Sequence, residues 1–113
     1  MALFISTIVI RIWKMLSIKV ELFGGLEVIF GKATKLDMVV EEGTTVEGLI
    51  NKLCTLDSLD QSKIHLFRKP GHIITPGILI TVNSADLAIY EKYEKHKLEN
   101  SDTVAFISTL HGG

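Results

Sequence analysis

A chain of 113 residues that is 47% apolar and 22% charged has the balance of an ordinary globular protein and the length of one domain, with one modest core. Its formal net charge of -1, with Lys and Arg scattered from Arg11 to Lys97 and only Arg68 and Lys69 adjacent, excludes a nucleic-acid surface built on a basic field. The single cysteine, Cys54, can form no internal disulfide, so the fold does not rely on an oxidising compartment, and a reduced, cytoplasmic setting is expected.

Residues 1–14 differ from everything after them: they are strongly apolar, and only Arg11 and Lys14 are charged. The stretch falls short of the roughly 20 apolar residues that a membrane span needs. Its basic residues follow the apolar run, the reverse of a secretory signal. A mitochondrial presequence agrees with the absence of acids but not with the low arginine content. The preferred reading is an extension that is disordered or not native, with translation beginning at Met15; an extra strand or helix is the structural alternative. Without Arg11 and Lys14 the remaining domain is mildly acidic.

From Ser17 to Phe23, Ile18, Val20 and Leu22 alternate with Lys19 and Glu21, which predicts a half-buried strand stopped by a turn at Gly24 and Gly25. Leu26 to Phe30 is too short to assign by period and is expected as a helical turn or a short strand. Leu36, Met38 and Val40 predict a second strand, antiparallel to the first. At Thr44 the period changes to 3.6, with Val46, Leu49, Ile50 and Leu53 on one helix face. Thr44 and Glu47 have capping-box spacing, and Gly48 weakens the helix by about 1 kcal/mol relative to Ala, so packing on a sheet must hold it. Cys54, at the end of that face, is expected as a buried, inert thiol.

Asp57 to Pro76 is a polar connector punctuated by Pro70, Gly71 and Pro76, within which Ile64 to Phe67 fits a loop or a short strand. Ile78 to Val82 is a strand and Asn83 to Asp86 a turn. Between Leu87 and Leu98, Tyr90, Tyr93 and Leu98 offer partial cover for the sheet. Thr103 to Ser108 is the last strand. The order predicts an α+β domain over residues 15–107: a mixed four- to five-stranded sheet with one main helix across it, the first and last strands side by side at its centre.

The segment 108–113, Ser-Thr-Leu-His-Gly-Gly, is then a flexible tail leaving a rigid sheet. Gly112 and Gly113 lack Cβ atoms and keep most backbone conformers open, so the tail can enter a narrow channel in a partner. The terminal carboxylate, with a reference pKa of about 3.5, is an unreactive anion at neutral pH until a partner converts it to an activated acyl group. His111 has no fixed carboxylate or hydroxyl beside it, so recognition suits it better than catalysis. His65, His72 and His96 are dispersed and no C-x-x-C occurs, so no metal is expected. Gly24 and Gly25 match no nucleotide-binding glycine pattern.

Three stretches together resemble the eukaryotic ubiquitin-related modifier family: Phe106 to Gly113 (FISTLHGG), Val20 to Gly31 (VELFGGLEVIFG) and Pro76 to Asn83 (PGILITVN). The likeness covers about residues 17 to 113. It implies a ubiquitin-like β-grasp fold and a sulfur carrier and protein tag with no catalytic residue of its own. An E1-like enzyme would use ATP and Mg to adenylate Gly113, and a rhodanese-type sulfurtransferase activity would convert the adenylate to a thiocarboxylate. Leu110, His111 and Gly112 would be read by that enzyme. Sulfur would pass to a tRNA thiolation complex for wobble uridines, and the same activated end would be joined to lysines of target proteins. The chain would bind no cofactor, nucleic acid or membrane itself and would act as a monomer. It departs from the family pattern at Thr75, where Arg commonly precedes Pro-Gly, and at Leu87, where Trp commonly follows Asp.

Two further readings of the fold and tail are the small sulfur-carrier subunit of molybdopterin synthase, which keeps its tail in a larger subunit, and a non-conjugating ubiquitin-like module whose sheet face binds partners. The Ser-Thr-Leu-His lead-in favours the modifier. A membrane-associated protein anchored by residues 1–14 is the weakest alternative.

Overall fold

The computed structural model describes residues 14–86 and 95–109. Five strands form one sheet: β1 (Met15–Phe23), β2 (Lys35–Glu41), β3 (Ile78–Val82), β4 (Ala85–Asp86) and β5 (Thr103–Ser108), in the spatial order β2-β1-β5-β3-β4. The alternating residues of β1 and β2 pair antiparallel, from Met15 opposite Glu41 to Glu21 opposite Lys35, as expected. β5 lies between β1 and β3, parallel to the first and antiparallel to the second. Asn83 and Ser84, with φ of 52° and 72°, make the tight turn that lets β4 fold back on β3. The expected turn is therefore confined to two residues, and Ala85 and Asp86 belong to the sheet.

One face of this sheet is covered by α1 (Val46–Leu53). Val46, Leu49, Ile50 and Leu53 are all fully buried and meet Ile18, Val20 and Leu22 of β1, Ile80 of β3 and Val104 and Phe106 of β5 in a single core. At roughly 1.5–3 kcal/mol for each fully buried aliphatic side chain, this face outweighs the weakness that Gly48 gives the isolated helix. The start of α1 differs from the expected capping box by one residue. Thr45, in extended geometry, is the cap, and its hydroxyl accepts the Gly48 amide at 3.2 Å. Thr44 instead donates its hydroxyl to the Glu41 carbonyl at 2.6 Å, closing the turn out of β2. A Cβ on Gly48 would meet the Thr44 methyl at 3.0 Å, so the glycine makes room for this arrangement.

The connector contains the larger correction. Leu26–Phe30 is a 3-10 helix, the helical turn of the two options. Ile64–Phe67 is neither loop nor strand but a short helix, α2, led in by a 3-10 turn at Gln61–Lys63. Asp60 begins that turn, accepting the Ser62 amide at 3.0 Å and hydroxyl at 2.6 Å, and these bonds hold its carboxyl below the usual carboxylate range. The reason for the helix is tertiary. It drives Phe67, which has no exposed surface, edge-on between Phe30 and Phe106, with centroids 5.2 Å and 5.3 Å away. Leu98 covers the core as expected and donates its amide to the Thr44 carbonyl at 2.9 Å. Tyr90 and Tyr93 lie outside the described residues.

Phe67 ties the connector to both the 3-10 helix and β5, so its removal tests the core directly. Phe67→Ala is expected to lower the unfolding free energy by about 3–5 kcal/mol in urea denaturation. A loss under about 1 kcal/mol would mean that the connector is not part of the core.

Candidate functional site: the exit of the carboxyl-terminal segment

Leu110, His111, Gly112 and Gly113, the tail residues that sequence singles out, lie outside the described residues. The structure describes the platform that delivers them. Because β1 and β5 run parallel with Phe23 opposite Ile107, the turn after β1 arrives where the chain leaves β5. Gly24, at φ +73°, fits against Ser108 so closely that a Cβ there would overlap its carbonyl oxygen. Gly25, at φ +96°, has open space around its Cα. The expected turn at Gly24 and Gly25 is present, and the first glycine has the added task of admitting β5.

On the other side, β3 holds the exit. Thr109 donates its amide and its hydroxyl to the Gly77 carbonyl, at 3.0 Å and 2.6 Å. Gly77 has φ +98° and opens β3, whose Ile78 pairs with Ser108. The chain at 108–109 is thus flanked by glycine backbone on both sides. Phe23, Ile107 and Leu79 form a row across β1, β5 and β3 on the face away from α1, with Phe23 and Leu79 exposed.

Thr75, where the sequence departs from the family pattern, sets the position of Gly77. It is buried, its hydroxyl accepts the Lys69 amide at 2.9 Å and donates to the His65 carbonyl at 3.0 Å, and its amide donates to the Phe67 carbonyl at 2.9 Å. The segment 65–75 is closed by these three bonds, and a long cationic side chain at this buried position would have no equivalent partners. Sequence reasoning did not find this role or those of Gly24, Gly77 and Thr109. The available signal was a small hydroxyl residue directly before Pro-Gly at a strand start.

The amino-terminal end of β5 is fixed as firmly. Asp102, buried, accepts the Asn83 side-chain amide at 2.9 Å and the Glu99 amide at 2.8 Å, while Asn83 accepts the Thr103 amide at 2.9 Å. Each side-chain oxygen and nitrogen of Asp102 and Asn83 thus has a partner. Cys54 is half-buried rather than buried. Burial pushes its thiol up from the ordinary value against a weaker downward pull from the neighbouring Arg68, which keeps it protonated and unreactive. Among the described residues no group of three or more His, Cys, Asp or Glu is placed to hold a metal, and no helix is long and apolar enough to cross a membrane.

Comparison with known proteins agrees with this platform and tail. The family model for Urm1 (Ubiquitin related modifier) matches residues 17–113. The chain is 38% identical over 101 residues to the ubiquitin-related modifier 1 homolog of Chlamydomonas reinhardtii, covering 88% of this chain and 100% of that one. It is 38% identical over 100 residues to ubiquitin-related modifier 1 of Schizosaccharomyces pombe, covering 87% and 100%. Among solved structures, Urm1 from Trypanosoma brucei aligns with a TM-score of 0.69 at 35% identity, over 88% of this chain and 97% of that one. SAMP1 from Haloferax volcanii, 18% identical, shares the fold with a TM-score of 0.64 over 86% and 99%.

The two glycines of the first turn separate backbone strain from contact. Gly25→Ala is expected to cost about 1–2 kcal/mol in urea denaturation, the strain of an L-residue in the left-handed region. Gly24→Ala adds the clash with Ser108 and is expected to cost clearly more and to shift the Thr109 amide resonance. Equal costs, with Thr109 unmoved, would contradict a close-packed exit.

Proposed function

Since the chain belongs to the ubiquitin-related modifier family, we propose that it is a sulfur carrier and protein modifier whose chemistry takes place at Gly113. The observation that carries this reading is the pair Gly112 and Gly113, which the family match reaches and which stand three and four residues beyond an exit bonded at Thr109.

The chemistry follows from what a carboxylate lacks. As an anion with two equivalent oxygens it repels nucleophiles and offers no good leaving group. On an E1-like activating enzyme with Mg, a carboxylate oxygen attacks the α-phosphate of ATP and pyrophosphate leaves, giving an acyl-adenylate from which AMP leaves when sulfur attacks. A rhodanese-type sulfurtransferase activity supplies that sulfur as a persulfide, so the first product is an acyl disulfide, which an enzyme thiol cleaves to leave a thiocarboxylate on Gly113 and a disulfide on the enzyme. The terminal carbon carries no side chain, so the approach to its carbonyl is open. Leu110, His111 and Gly112 are the residues that the activating enzyme reads in the channel. The chain brings no catalytic side chain and no cofactor; it brings a substrate carboxylate on a folded handle.

The thiocarboxylate then has two uses. It donates sulfur to a tRNA thiolation complex for 2-thiolation of wobble uridines, and the activated end is also joined through an isopeptide bond to lysines of target proteins. The carrier acts as a monomer in the cytoplasm, and tRNA contact is made by the thiolation complex. The family match supports the modifier over the molybdopterin synthase subunit and over a non-conjugating module.

The test is intact mass after incubation with the cognate activating enzyme, MgATP and a sulfur donor, beside a chain lacking Gly112 and Gly113. The expected result is a gain of about 16 Da, one oxygen replaced by sulfur at the activated carboxylate, in the full chain alone. An unchanged mass in both chains, with an enzyme competent on a known substrate, would favour the non-conjugating module.

A further inference from the structure

The sequence contains no Asp or Glu from Gln61 to Ala85, in a chain whose acidic residues outnumber its basic ones. That segment carries Lys63, Arg68 and Lys69, together with His65 and His72. Its cations differ in how far they are already satisfied. Lys63 faces Asp60. Arg68 donates one guanidinium nitrogen to the neutral Asn51 carbonyl oxygen at 2.6 Å, and no carboxylate pairs with it among the described residues. Lys69 is exposed, and among the described residues only its backbone is engaged, the amide by Thr75 and the carbonyl by His72.

These cations are not on a loose loop. The Thr75 hydroxyl holds the backbone of both His65 and Lys69, and two residues later Gly77 holds Thr109. Backbone order therefore passes from the cationic segment to the tail exit through Thr75, Pro76 and Gly77. A charged surface fixed relative to the exit can orient whatever receives the tail, which a charge on a mobile segment cannot do without a cost in entropy.

We infer that the segment Lys63–His72, with Arg68 and Lys69 at its centre, is a docking surface for a carboxylate-rich patch on the enzyme that takes up the tail. This inference rests on the proposed activation of Gly113. A guanidinium bonded to Asn51 and also engaged with the Cys54 thiol keeps further N–H donors for a carboxylate. The Lys69 ammonium adds a point charge beside it. Nucleic acid is the poorer occupant. Two uncompensated cations fall well short of the roughly 6–10 phosphate contacts typical of strong nucleic-acid binding. Stacking of single-stranded bases calls for exposed aromatics, and the aromatic residue of this segment, Phe67, is fully buried.

The experiment is stopped-flow association of the full chain with its cognate activating enzyme at low and high salt, comparing wild type, Lys69→Glu and Lys97→Glu. Lys97 is exposed and pairs with Thr45 at the start of α1, at the end of the sheet away from the exit, so it makes the same change in net charge at a distance. For Lys69→Glu the association rate constant is expected to fall on the order of tenfold at low salt, with the deficit shrinking toward 0.5 M salt, at which the Debye length is only about 4 Å. Lys97→Glu is expected to stay close to wild type, and adenylation at saturating chain is expected to be equal for all three. Equal slowing by both variants, or slowing by neither, overturns the local docking surface. Binding of unrelated tRNA at the same salt, lost in Lys69→Glu, overturns the choice of occupant. Wild type that binds the enzyme without ever being adenylated counts against the function proposed for Gly113, whereas normal adenylation with an unaltered Lys69→Glu association rate counts against the docking surface alone.

Discussion

Parallel pairing of the first and last strands at the centre of the sheet is the constraint on which the other features depend. Lys19 to Phe23 lies beside Thr103 to Ile107, and the inward residues Val20, Leu22, Val104 and Phe106 have at most 1% of their surface exposed. A parallel pair needs a crossover, so the whole of β2, α1, the connector and β3 must be accommodated between the two strands. The pairing also brings both carboxyl ends to one edge. That is why the turn after β1 must be glycine where it meets Ser108, and why the chain leaves the fold between Gly24 and Gly77.

The connector repays this topology with core. A long link between α1 and β3 would be weakly held if it only crossed the surface. Instead Leu59, Phe67 and Ile74 enter the core, and Phe67 joins the 3-10 helix to β5 through Phe30 and Phe106. Thr75 then converts that anchorage into a fixed position for Gly77. The carboxyl-terminal segment is thus presented by a platform, while activation, sulfur transfer and conjugation belong to partner enzymes in the function proposed. Activation of a carboxylate needs energy input and a closed site, and the function proposed assigns both to a partner.

Much of the sheet was legible because each strand alternates or is a clean apolar run: Ile18, Val20 and Leu22; Leu36, Met38 and Val40; Ile78 to Val82; Thr103 to Ser108. The face of α1 was legible for the same reason at period 3.6. What sequence could not set was decided by contacts distant in the chain. Thr44 and Thr45 are chemically equivalent caps, and the choice between them came from the bond of Thr44 to Glu41. Four residues, Ile64 to Phe67, are too few to show a period, so a helix fixed by Phe67 packing read as loop or strand. Thr75 looked like a departure from a pattern, and its role lies in carbonyl and amide partners up to ten residues away. The tail was the reverse case: Gly112 and Gly113 stood out in the sequence, and the glycine backbone that flanks Ser108 and Thr109 did not.

The measurement that bears most directly on the delivery of the tail from a fixed exit is amide hydrogen exchange along β5. The expected result is that the Thr109 amide, bonded to the Gly77 carbonyl at 3.0 Å, exchanges at least about a hundredfold more slowly than an unprotected amide and follows Phe106 as denaturant is raised, as one cooperative unit. Exchange of Thr109 at the unprotected rate while Phe106 stays protected would contradict it, because the tail would then begin inside the strand and neither Gly24 nor Gly77 would govern where it leaves.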